Sequence, residues 1–191
     1  MMLNLTAILS LINASISSWV PGKSQLMGLA QLSKRPQDDG KDRVWPSEYD
    51  ENGEAIYAGI DDDYDLIIYH RLLGMGVSPA ATGKYGRKVS DTKNTLRMCM
   101  VLFAKRTCLK LGKDELALNV QASFPDQITG GDKPKNIKTM NISISDIVLN
   151  EEQVFNEEYK NVDYFVSPEH IFLKVNYTIE STFDKNCFNK C

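Results

Sequence analysis

Residues 170–183 (HIFLKVNYTIESTF) constrain the fold more than any other stretch of this chain. Ile171, Leu173, Val175, Tyr177 and Ile179 fall on one side of an extended segment, and Lys174, Asn176, Thr178 and Glu180 fall on the other. Successive strand side chains point to opposite faces, so this alternation is the pattern of a half-buried strand. Every other strand candidate precedes it, so its pairing partners lie earlier in the chain.

Those candidates can be read in turn. Residues 95–107 (TLRMCMVLFAKRT) are apolar on both faces, with Leu96, Met98, Met100 and Leu102 opposite Cys99, Val101 and Phe103. That pattern predicts a central strand covered on both sides. Residues 140–148 alternate again, Met140, Ile142, Ile144 and Val148 against Asn141, Ser143 and Ser145. Residues 55–60 (AIYAGI) and 66–73 (LIIYHRLL) read as two early strands split by Asp61, Asp62 and Asp63.

Helices are expected between the strands. Leu5, Ile8, Leu9, Ile12 and Ile16 recur at helical spacing behind Asn4 as a cap, which predicts an amphipathic helix. Asp114 is expected to cap a short helix in which Leu116, Val120 and Phe124 share a side, ended by Pro125. A third helix is expected from 150 to 159, opened by Asn150 and Gln153 in a capping-box pattern and presenting Phe155 and Tyr159. Gly130, Gly131, Asp132 and Pro134 mark a turn, and residues 25–32 are apolar without an assignable period.

Two stretches read as long loops. Residues 33–54 are polar and carry Pro36, Gly40, Pro46 and Gly53, and residues 74–91 carry Gly74, Gly76, Gly83 and Gly86. Loops of this length in a compact domain are functional or disordered. Trp45 and Tyr49 lie in the first, and a disordered linker seldom carries a tryptophan, so part of that arm is expected to dock on something. The chain therefore reads as one domain over 1–191, with an extended arm at about 33–54 and a long loop at about 74–93. Its class is α+β: a mixed or antiparallel sheet with helices on one face and two long extended loops.

Tests for chemistry fail on particular residues. A phosphate-binding loop needs a glycine separated by four residues from its Gly-Lys pair, and a hydroxyl residue directly after the lysine. Ahead of Gly83-Lys84 that first place is held by Ser78, and the residue that follows Lys84 is Tyr85. Gly74-Met-Gly76 lacks the third glycine of a dinucleotide fingerprint, because Pro79 stands in its place. The run from Gly76 through Ser78 to Ala80 fails the nucleophile elbow in the same way. Asp61, Asp62 and Asp63 lack the alternate spacing of a calcium loop and read as a solvated turn. The methionines Met98 and Met100 have no histidine beside them and read as core filling. His70 lies within a strand, where a structural role is the ordinary one. No catalytic, cofactor-binding or metal-ligating residue is assigned.

Charge and cysteine usage narrow the classes further. A net charge of −3 disfavours binding to nucleic acid through phosphate neutralisation. Residues 1–18 lack a basic start, and Asn4, Ser10 and Asn13 interrupt the apolar run, so neither an export signal nor a membrane span is expected. Cys99, Cys108, Cys187 and Cys191 match neither a zinc spacing nor a secreted disulfide framework, so reduced thiols in a cytosolic product are expected. The sequons at Asn4, Asn13, Asn141 and Asn176 then carry no sugar.

The segments IIYHRLLG (67–74), ISDIVLNEEQVFNEEY (144–159) and LKVNYTIESTFDKNCFNKC (173–191) resemble those of short proteins encoded beside the neck and tail genes of tailed phages of Bacteroides-type gut bacteria, crAss-like phages included. The element order is similar to that of tail-completion (tail-terminator) proteins. The resemblance covers most of the chain from about Leu66 onward, and the 33–54 arm has no counterpart in it. It implies a non-enzymatic virion protein, made in the host bacterial cytoplasm and assembled as a homo-oligomeric ring in the head-to-tail connector, neck or tail-completion region. Its partners would be other neck, portal or tail proteins, with DNA passing through the lumen without specific binding and no membrane involved. Trp45, Tyr49 and Tyr85 are the candidate interface residues, because aromatic side chains in long loops are costly to leave in water. Two other classes stay open: a small intracellular protein-binding module using the Trp45 and Tyr49 arm, and a hydrolase using His70, His170 and the acidic cluster.

Overall fold

The computed structural model describes residues 5–36, 40, 42–50, 52–58, 63–80, 91–126, 137–150 and 169–184. In chain order the elements are α1 (Leu5–Ser17), β1 (Ser24–Leu29), β2 (Gln31–Pro36), β3 (Asp42–Tyr49), β4 (Ala55–Ala58), β5 (Leu66–Pro79), β6 (Asp91–Lys105), α2 (Arg106–Leu109), α3 (Lys113–Ser123), β7 (Ile137–Val148) and β8 (His170–Asp184). The fold is α+β, as expected. A five-stranded sheet runs in the order β1-β5-β6-β8-β7, and a separate three-stranded sheet runs β2-β3-β4. Only the β1–β5 pair of the large sheet is parallel, so the sheet is mixed.

The doubly apolar strand β6 sits in the middle of the large sheet, between β5 and β8. Its even-numbered residues and their partners on β8 form one face: Leu96 opposite Ile179, Met98 opposite Tyr177, Met100 opposite Val175, Leu102 opposite Leu173 and Ala104 opposite Ile171. Ile8, Leu9, Ile12 and Ile16 of α1 and Leu116, Ala117 and Val120 of α3 pack on this face. Each large apolar side chain among them, taken fully out of water, contributes about 1.5–3 kcal/mol. The opposite face is a smaller apolar cluster in which Ile67, Tyr69, Val101, Phe103 and Phe172 pack with Met27 and Ala30, and Leu32 at the start of β2 leans on it.

One buried polar chain crosses the helix-bearing face. The Tyr177 hydroxyl and His70 Nδ1 are 2.8 Å apart, and His70 Nε2 lies 2.8 Å from Asn13 Oδ1. Asn13 Nδ2 in turn donates to the Met27 carbonyl at 3.0 Å. These contacts are mutually consistent when Tyr177 donates to Nδ1 and a neutral His70 donates from Nε2. The chain thus ties β8, β5, α1 and β1 together.

A second polar cluster closes the opposite end of β5. The Asp65 carboxylate accepts the Lys23 amide at 2.9 Å and the Cys108 thiol at 3.0 Å, and Lys105 Nζ lies 3.9 Å from it. Gly22 beside it adopts φ +103°, and a Cβ built there would run into the Asp65 carboxylate. Both the backbone angle and the close approach therefore call for glycine.

Several expectations differ from the structure. Much of the stretch read as a polar arm is a meander: β2 and β3 pair from Gln31 with Ser47 to Pro36 with Asp42, and β3 continues into β4. Its connections carry the turn sequences DDG and DENG, and Gly40 and Gly53 have φ of +76° and +83°. Asp50 organises the second turn by accepting the amides of Asn52 and Glu54. The loop expected from residue 74 is strand through Pro79, paired with β6 as far as Thr92, and residues 81–90 lie outside the described residues. The cap of α3 is Gly112, not Asp114; the Gly112 amide donates to the Glu115 carboxylate and Asp114 lies in the first turn. The expected helix at 150–159 and the turn at 130–134 lie outside the described residues, apart from Asn150.

Candidate functional site

The main apolar display on the described surface is the distal half of β5. The strand begins buried, Leu66 through His70, and is largely exposed from Leu72 onward. Strand β1 flanks it only as far as His70, where Leu29 pairs with His70 and the Ala30 amide donates to the His70 carbonyl at 2.8 Å. Beyond that point, among the described residues, β5 has a ladder partner on its β6 side only.

An irregularity between Leu72 and Gly74 sets which side chains face which way. Before it, Leu72 lies opposite Met98 on the helix-bearing face. After it, Gly74 lies opposite Arg97, Met75 opposite Leu96, and Val77 opposite Asn94. Paired residues share a face, so the extra residue reverses the strand's parity. Leu72, Met75 and Val77 all take the helix-bearing side, while Gly74 and Gly76 occupy the other.

The cover over that side stops short of the distal half of β5. Leu96 is 7% exposed and Ile179 is fully buried, whereas Leu72, Met75 and Val77 are 41%, 67% and 66% exposed and Leu73 is 46% exposed. The reverse side is polar: Arg97 lies against Gly74, and Lys93 and Glu180 form a 2.6 Å ion pair. The result, among the described residues, is an apolar shelf along an unpaired backbone edge. Such edges pair readily with another strand, and a cluster of exposed apolar residues marks an interaction site.

The sequence-predicted residues distribute differently. Tyr49 is 38% exposed at the end of β3, and Ile56 of the neighbouring β4 is 55% exposed. The backbone of Trp45 pairs with Ser33 within the small sheet, so it belongs to a strand and not a loop. Its side chain, and all of Tyr85, lie outside the described residues. His70 and His170 are both buried on strands. Burial pushes the His70 imidazole down to about 3, which keeps it neutral, and both its nitrogens are already engaged. Of the acidic run, Asp61 and Asp62 lie outside the described residues. Among the described residues no group of three metal-ligating side chains converges, and no helix is long and apolar enough to cross a membrane. Cys99 is buried and Cys108 half-buried, and among the described residues neither is in a disulfide; Cys187 and Cys191 lie outside the described residues. The Asp65 carboxylate raises the Cys108 thiol above its ordinary range, the opposite of what an attacking thiolate needs.

Reading the sequence misses Leu72, Leu73, Met75 and Val77 as surface residues. Their signal is an apolar LLGMGV run whose glycines suggest a loop. Compared with known protein families and with curated proteins, the chain matches no family model and no curated relative.

Proposed function

We propose that this chain is a non-enzymatic structural protein of a tailed-phage particle, assembling as a ring in the head-to-tail connector or tail-completion region. The observation that supports the reading is the apolar distal length of β5, unpaired among the described residues and suited to contact with other proteins. The similarity of residues 67–74, 144–159 and 173–191 to proteins encoded beside phage neck and tail genes supplies the setting. Action is by shape: identical subunits close around an axis, and neighbouring neck, portal or tail proteins stack above and below. A net charge of −3 suits a conduit through which DNA slides without sticking.

The test is peptide mass spectrometry of gradient-purified tailed particles from a host carrying this gene. The polypeptide is expected in the particles at several copies each. Its absence from intact particles, with presence in the host lysate, overturns the reading.

A further inference from the structure

We propose that the distal edge of β5 and the outer edge of β4 are the two halves of one contact between copies of this chain. The inference rests on the assembly reading above and names its surfaces.

The strand edges of the two sheets differ in how they are defended. Edges are normally blunted by charge, proline, bulges or covering segments. On β7 the Ile142 amide donates to the Asp126 carbonyl at 2.8 Å, which occupies part of that edge. On β1 the Gly28 amide donates to the Glu48 carboxylate at 3.0 Å. Strand β2 carries Lys34, Arg35 and Pro36 in its sequence. Strand β4 reads AIYA, with no charge or proline, and its partner among the described residues is β3 alone. The exposed run of β5 from Leu72 to Val77 is likewise uncharged.

Two edges that carry neither charge nor proline, on different sheets, suit a heterologous contact in which one copy's β4 extends the next copy's β5, although each ladder has a register irregularity, between Leu72 and Gly74 on β5 and beside Ile56 on β4. A β5–β5 contact would leave β4 bare. Neutrality on both sides removes the charge repulsion that would oppose pairing, and Ile56 offers β4 an apolar side chain to set against Met75 and Val77. The β5 shelf exposes on the order of several hundred Å². A stable interface needs about 800 Å² per partner, so one such contact is weak. Head-to-tail closure gives every subunit two, which is how a weak contact sustains a ring.

The full chain is studied by sedimentation equilibrium as wild type, as Met75→Lys with Val77→Lys, and as Ile56→Lys. Wild type is expected to assemble with rising concentration, and each variant to stay monomeric. An equimolar mixture of the two variants retains one intact β4 and one intact β5 and is expected to form 1:1 dimers. Hydrogen exchange on wild type supplies a reading that needs no variant: amides of 55–58 and 72–79 are expected to slow together by about tenfold as concentration rises. Assembly by one variant alone would mean that its intact edge pairs with itself. Assembly by both, or a mixture that stays monomeric, would remove the β4–β5 pairing from the contact. Each of these results overturns the proposal and leaves the particle reading intact. A wild-type chain that remains monomeric, with unchanged exchange, also overturns it, and particle composition then judges the virion reading separately.

Discussion

The hydroxyl of Tyr177 lies 2.8 Å from Nδ1 of His70, reaching from β8 past β6 to β5 beneath α1. The two rings meet edge to face with centroids 5.9 Å apart. Because the partner of His70 Nε2 is the Asn13 side-chain oxygen, the imidazole is held as its Nε2–H tautomer.

Tyr177→Phe removes the donor and leaves His70 Nδ1 buried without its partner. The expected loss of stability is about 1–3 kcal/mol, read as a lower urea midpoint at unchanged slope. A midpoint equal to that of wild type would show that the hydroxyl contributes nothing.

His70 is held down to about 3 by burial, so its unfolded form binds the proton first as pH falls. Its contribution to stability is therefore complete above the ordinary histidine range and declines from about pH 6.5 toward 3, at about 1.4 kcal/mol per pH unit for one proton. In nuclear magnetic resonance spectra, the His70 ring signals of the folded protein are expected not to titrate between pH 8 and about pH 5. A normal titration midpoint near that of free histidine would contradict the buried chain.

Asp65 is held below its ordinary range, first by the Cys108 thiol and then by the Lys23 amide. A depressed carboxyl stabilises the fold above its unfolded value of 3.8, and that contribution is lost as pH falls through the folded value. Asp65→Asn is expected to weaken this acid dependence. It should also speed alkylation of Cys108 at mildly alkaline pH, measured by peptide mapping, because the raised thiol loses its carboxylate. Unchanged Cys108 reactivity would place the cause elsewhere.

Gly22→Ala combines a positive φ with a Cβ directed at Asp65. A destabilisation of about 1–3 kcal/mol is expected in thermal or urea unfolding. A neutral result would mean that the turn can relax away from the carboxylate.

The strands with a regular apolar pattern, on one face or on both, are legible from the sequence alone. Alternation places Ile171, Leu173, Val175, Tyr177 and Ile179 on a single face, and double-sided apolarity places β6 at the centre. The helical spacing of Ile8, Leu9, Ile12 and Ile16 finds α1 for the same reason. Strand β4 falls within the stretch read as a strand at 55–60, whereas β2 and β3 of the small sheet are illegible by that rule, since Ser33, Ser47 and their neighbours show no apolar period. The distal half of β5 is hidden by Gly74 and Gly76, which read as loop because pairing with a neighbouring strand is not a local property. The aromatic interface candidates follow from loop reasoning; Tyr49 does lie at the surface, but the larger apolar display lies on a strand.

The supernumerary residue at Leu73 works as a gear tooth that turns the far end of β5 by half a revolution. Were the ladder continued one for one from Leu72 opposite Met98, Met75 would meet Thr95 and Val77 would meet Lys93, and both would sit among charges while the glycines took the helical side. Since the offset is a whole residue, no intermediate setting exists: the rim is either greasy or bare. Excising Leu73 would leave Met75 opposite Leu96 in an unbroken ladder, so the pairing of Met75 with Leu96 and Val77 with Asn94, rather than the spare residue itself, decides what the molecule shows its neighbours.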